Sequence, residues 1–166
     1  MNPSMPRLFC AVAMIVVTLP TPADASAPGG RYVVKNGGTS KGTVYDTKTK
    51  LTWQQAIPST TYTWAEAETY CAGVGRRLGG KGWRLPTISE LQSIIDFSQT
   101  AAPMIDSNAF PSTPASDFWS STPSATSSGY AMTVDFLSGV SDGYVVDGSV
   151  GVRCVRHTNG NGHWVE

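Results

Sequence analysis

Cys71 and Cys154 are the only cysteines that follow the first 25 residues of the chain. A bond between them would enclose about 84 residues, a loop worth about 4 to 5 kcal/mol on the chain-entropy model. That is comparable with the whole stability of a small domain. In an oxidising compartment an even pair most simply closes into one disulfide, so the fold is expected to bring these two positions together. A metal-binding or nucleophilic thiol is the competing reading. It needs nearby histidines, and His157 and His163 both lie in the C-terminal tail.

The compartment is read from the N-terminus. Arg7 supplies a positive start, Leu8 to Leu19 is an apolar run, and Ala23-Asp24-Ala25 presents small residues where a signal peptidase reads. Residues 1–25 are therefore expected to be a signal peptide cleaved after Ala25, removing Cys10. The apolar run is too short for a spanning helix of roughly 20 residues, so no membrane span is expected. The chain is expected to be exported to the periplasm or beyond the cell. The remaining residues suffice for one domain, over 26–156, with a flexible tail over 157–166. The 12 basic and 12 acidic residues balance, and still balance once Arg7 and Asp24 are removed. No global charge draws the chain to nucleic acid or a membrane, so an electrostatic partner needs a local patch.

The central stretch is Gly82-Trp83-Arg84-Leu85-Pro86-Thr87-Ile88-Ser89-Glu90-Leu91. Pro86 holds Leu85 extended, and Thr87 with Glu90 forms a capping box, so a helix is expected from Ile88. Ile88, Leu91, Ile94 and Ile95 would share its buried face, with Asp96 and Ser98 at the exit. A second capping box, Thr63-Trp64-Ala65-Glu66, opens an earlier helix expected to reach about Val74. It turns Trp64, Ala67, Cys71 and Val74 inward and is ended by Gly73 and Gly75.

Ahead of the helices, Arg31 to Val34, Thr43 to Tyr45 and Leu51 to Trp53 read as strands. The last two form a hairpin with Leu51 and Trp53 on its buried face. After them, Ser98 to Ser116 reads as a long loop of the kind that often binds ligands. Asp117 to Thr122 is then expected as a strand, followed by Tyr130 to Leu137, Val140 to Val146 and Val150 to Val155. In the first of these three, Tyr130, Met132, Val134 and Phe136 alternate with small or polar residues. In the last, Val150, Val152 and Cys154 share a face.

Two ligand surfaces are candidates. Arg76, Arg77, Lys81 and Arg84 concentrate cations that would hold sulfate or carboxylate groups of a polysaccharide, although cations near a helix end also favour its dipole. Asp117, Tyr130, Asp142, Tyr144 and Asp147 offer rings for sugar faces and carboxylates for sugar hydroxyls, although Asp-Gly pairs are also ordinary turn chemistry. No Ser/His/Asp set is visible, and no catalytic residue, metal ligand or cofactor is expected.

The constellation resembles a C-type-lectin-like α+β fold: two helices packed on short antiparallel sheets with long loops. More closely, Gly42-Thr43-Val44 with Leu51-Thr52-Trp53-Gln54, Thr63-Trp64-Ala65-Glu66-Ala67 with Tyr70-Cys71, Trp83-Arg84-Leu85-Pro86 with Glu90-Leu91, Trp119-Ser120-Ser121-Thr122, Val134-Asp135-Phe136 and Val152-Arg153-Cys154-Val155-Arg156 resemble the Lcl C-terminal domain family. That resemblance covers Arg31 to Arg156. It implies a secreted bacterial adhesion module like the founding collagen-like adhesin, which binds sulfated polysaccharides. The expected partner is a polysaccharide or another cell-surface ligand, with docking of another exported protein as the alternative. No Gly-X-Y repeat occurs, so stalk-driven trimerisation is not carried over and the oligomeric state is open. The Glu-Pro-Asn, Gln-Pro-Asp and Trp-Asn-Asp motifs of calcium-dependent animal lectins are absent, so no calcium is expected there. Arg84-Leu85-Pro86-Thr87 also resembles formylglycine-generating enzymes, oxidases whose copper chemistry needs reactive cysteines that the staple would consume.

Overall fold

The computed structural model describes residues 29–37 and 42–158, so the expected signal peptide lies outside the described residues. The chain forms an α+β domain whose described elements are β1 (Tyr32–Lys35), β2 (Thr43–Asp46), β3 (Leu51–Gln54), α1 (Trp64–Gly73), α2 (Gly75–Leu78), α3 (Ile88–Gln92), β4 (Asp117–Pro123), β5 (Tyr130–Asp135), β6 (Ser141–Val145) and β7 (Val155–His157). Two antiparallel sheets carry the strands, one in the order β1-β2-β3-β7 and one in the order β4-β5-β6. Among the described residues no helix is long and apolar enough to cross a membrane.

Side-chain alternation on β4 and β5 explains why the domain has two cores. Successive strand residues point to opposite faces. Phe118 and Val134, joined by Phe136 just past β5, therefore pack with Trp53, Leu91, Ile94, Ile105 and Phe110. Their neighbours Trp119 and Ala131 pack on the other side with Ala67, Val74, Leu78, Trp83, Leu85 and Val152. The second cluster holds the disulfide between Cys71 of α1 and Cys154, both fully buried. The expected staple is present, and Trp53 is in the core.

Several element boundaries differ from the sequence reading. The helix begun by Thr87 ends at Gln92, because Ser93 Oγ takes the Glu90 carbonyl at 2.6 Å and the following amides reach back only three residues. Ile94 still reaches the core as part of that turn. Gly75 does not end a helix but sits in α2, where a Cβ would collide with the Gly80 carbonyl oxygen, so glycine is required there by close packing. The strand expected over Val150 to Val155 is replaced by a crossing segment whose backbone partners lie on different elements. Val150 exchanges hydrogen bonds with Tyr62, Gly151 with Asp117 and Trp119, and Cys154 with Gln54. At Gly151 a Cβ would press on the Asp117 carbonyl and the Phe118 ring. His157, read as the start of the tail, ends β7 opposite Leu51; the rest of the tail from residue 159 lies outside the described residues.

The long segment from Ser98 to Ser116 lacks helix and strand as expected, and most of it is exposed or half-buried while four of its side chains turn inward. Ile105, Phe110 and Thr113 are buried, because their apolar surface completes the first core. Arg153 fastens it there. This fully buried guanidinium donates to the carbonyls of Gln54 and Gln55 at 2.8 Å and to Thr113 Oγ1 at 2.7 Å, and it lies 4.8 Å from the Phe110 ring centroid. Burial pushes its pKa down to about 9, which leaves it protonated at neutral pH.

Candidate functional site

Among the described residues an open groove runs along the outer face of α1. A groove of about 670 Å³ is lined by Thr60, Thr61, Tyr62, Ala65, Glu66, Thr69 and Tyr70. It meets a second, of about 360 Å³, lined by Thr69, Tyr70, Gly73, Val74, Arg76 and Arg77. Both volumes are in the range of small-ligand sites. Local structure holds the first groove in shape. Trp64 Nε1 donates to the Ser120 carbonyl at 2.8 Å, pinning the start of α1 to β4, and the Tyr62 carbonyl accepts from Trp119 Nε1 at 2.8 Å. The Tyr62 and Tyr70 rings lie with centroids 5.1 Å apart at 33°. Glu66 accepts from the Thr63 N–H at 3.0 Å and the Thr63 hydroxyl at 2.9 Å, and these bonds hold its carboxyl below the usual range.

Tyr70 stands where the two grooves meet. Its hydroxyl accepts from Gln54 Nε2 at 2.9 Å on the buried side and from Arg77 Nη2 at 2.6 Å on the exposed side. Arg77 is seven residues beyond Tyr70, two helical turns along, so α1 and α2 bring them to one side. That spacing was the signal in the sequence for Tyr70, which the sequence reading passed over, as it did Tyr62 and Gln54.

The structure divides the expected cation set. Arg76 and Arg77 line the second groove, and Lys81 is exposed in the loop beyond α2. Arg84 is committed elsewhere: its two terminal nitrogens each reach a different Glu90 oxygen at 2.7 Å, and Nη1 also donates to the Leu85 carbonyl. Glu90 is the capping residue of α3, so its charge is placed by the helix start and in turn neutralises Arg84. Burial alone would raise the Glu90 pKa, but the Arg84 and Thr87 hydrogen bonds outweigh it and the net shift is downward.

The second expected set is also divided. Strand register puts Asp142 opposite Thr133, Tyr144 opposite Ala131, and Asp117 opposite Asp135, all on one face of the β4-β5-β6 sheet. Thr133 Oγ1 donates to Asp117 Oδ1 at 3.1 Å. Tyr130 belongs to the opposite face by alternation, and Asp147 is exposed in the turn after β6. Tyr144 is turned edge-on to Trp119 with centroids 5.9 Å apart, so part of its ring covers the second core.

The model of the Lcl C-terminal domain matches residues 42–156. The chain belongs to the Lcl C-terminal domain family. The matched stretch of this Lcl C-terminal domain begins just before β2 and takes in both cysteines, the α1 grooves, Arg153 and the Arg84–Glu90 pair. Among curated proteins none matches the chain.

Proposed function

We propose that this Lcl C-terminal domain is an exported, non-catalytic adhesion module that recognises carbohydrate, with sulfated polysaccharide the favoured class. The observation that carries the reading is the double groove on α1, which combines two tyrosine rings, threonine hydroxyls and the Arg76-Arg77 pair. Tyrosine rings lie against the apolar faces of sugars, hydroxyls match sugar hydroxyls, and guanidinium forks suit sulfate and carboxylate groups. Neither arginine forms an ion pair among the described residues. The C-type-lectin-like architecture belongs to the same proposal and is supported by helix α1 stapled beside the last strand. A non-catalytic role is supported by the disulfide, which occupies both sulfurs that a formylglycine-generating type of chemistry would need.

Docking of another exported protein is the second reading, favoured by a different end of the molecule. Phe97, Leu137 and Val140 are all exposed there, and the Phe97 ring lies over the β5–β6 turn at Gly139. A glycan array carrying sulfated and unsulfated sugars, probed with residues 26–166, separates the two. Binding to sulfated chains should weaken steeply between low and physiological salt, and an Arg76→Ala/Arg77→Ala variant should lose most of it. Silence across every sugar class would overturn the carbohydrate reading.

A further inference from the structure

We infer that Tyr70 sets the ligand preference of the α1 groove by presenting its hydroxyl as an obligate hydrogen-bond donor, paired with the Arg77 guanidinium, to an oxyanion carried on a sugar ring. The inference rests on the polysaccharide reading and adds a specificity-determining residue to it. A phenol has one proton to donate and two lone pairs to accept with. Gln54 Nε2 and Arg77 Nη2 occupy both lone pairs. No hydrogen bond donated by Tyr70 is made among the described residues, so its proton is available to a ligand.

The arrangement cannot reverse at Gln54. Its Nε2 also donates to the Ala56 carbonyl at 2.8 Å, while its Oε1 accepts from the Cys154 N–H at 3.2 Å. Turning the amide over would set its oxygen against the Ala56 carbonyl and its NH₂ against an N–H. Gln54 is fully buried, so neither mismatch could be relieved by water. Gln54 is thus a positioning residue: it faces the Tyr70 hydroxyl as a donor and leaves that hydroxyl to donate outward. Arg77 holds further N–H groups beside it, and Arg76 lines the same groove. Glu66, the carboxylate among the lining residues, stays ionised but lines only the first groove, so the oxyanion is placed at the Tyr70-Arg77 side, where Arg76 and Arg77 line the second. A fixed donor next to a cation favours an acceptor that is negatively charged, whether sulfate ester or carboxylate.

The test measures calorimetric binding of length-matched dextran sulfate, carboxymethyl dextran and plain dextran to the exported, oxidised protein. Wild type should prefer the charged dextrans, and either order between the two supports the oxyanion assignment while telling which group is read. Tyr70→Phe keeps the ring beside Tyr62 and removes only the hydroxyl. It should lose about ten- to hundredfold in affinity for the charged dextrans, with plain dextran unchanged. Tyr62→Ala should weaken all three alike, through lost stacking. Melting curves show whether each variant folds. Should Tyr70→Phe prove unstable, the exposed Arg77→Ala variant carries the test, since it too must lose the preference for charged chains. Wild-type affinity in Tyr70→Phe, or an equal loss across all three dextrans, overturns the donor assignment alone. If wild type binds none of them, the polysaccharide reading falls and the assignment with it.

Discussion

Opening the Cys71–Cys154 bond tests how much of this domain's stability resides in its unfolded state. The two cysteines are 83 positions apart. For a closed loop of about 84 residues the chain-entropy relation gives about 15 cal/mol/K, or about 4.6 kcal/mol at 25 °C. Reduction keeps both sulfur atoms in the core, so it removes little beyond this constraint. The Cys71→Ala/Cys154→Ala variant also deletes two fully buried sulfurs, each comparable with a methylene worth about 0.8 kcal/mol, for a total loss of about 6 kcal/mol. Urea unfolding of the oxidised, reduced and alanine forms separates the two contributions. The slope of free energy against urea should rise on reduction, because an uncrosslinked chain exposes more surface when it unfolds. Hydrogen exchange adds a spatial check. Removing a constraint on the unfolded chain lowers protection equally for the slowest amides of α1 and β3, whereas lost native contacts would expose α1 first. A loss under about 1 kcal/mol on reduction, with an unchanged slope, would refute the loop-entropy reasoning.

Arg153→Met should fold but lose about 2 kcal/mol or more, because the Gln54 and Gln55 carbonyls and the Thr113 hydroxyl lose their buried donor while relief of a desolvated charge offsets part of the cost. Exchange at Phe110 to Thr113 should quicken more than exchange in β5; equal behaviour would mean that the long segment is held by its apolar side chains alone. Glu90→Gln tests the capping pair through pH. Folding lowers the Glu90 pKa from its usual 4.5, so its contribution is fully present above pH 4.5 and is lost as pH falls through the lower folded value. The stability gap between wild type and Glu90→Gln should therefore close in acid, and a gap constant from pH 7 to pH 3 would sink the argument.

Local chemistry made much of this domain legible in the sequence. Thr63 with Glu66 and Thr87 with Glu90 announce helix starts because a capping box needs only residues three apart. Period-two alternation placed Leu51 and Trp53 in the core, and cysteine counting paired Cys71 with Cys154. The family motifs lie along the segment that the Lcl C-terminal domain model matches. Other features depend on partners far along the chain. Arg84 looked like one of four available cations until α3 brought Glu90 against it. The loop from Ser98 to Ser116 is legible as a loop, but that Ile105 and Phe110 complete the first core is decided only by packing. Residues 150–154 alternate like a strand, yet they cross between two sheets because Tyr62, Trp119 and Gln54 each claim a different part of their backbone. Tyr70 is the clearest case. Its ring could be placed on α1 from the sequence, but the direction of its hydroxyl proton depends on Gln54, sixteen residues earlier, whose own amide is oriented by Cys154, one hundred residues later. Periodicity carries no record of such bonds, because they exist only once distant segments have packed together.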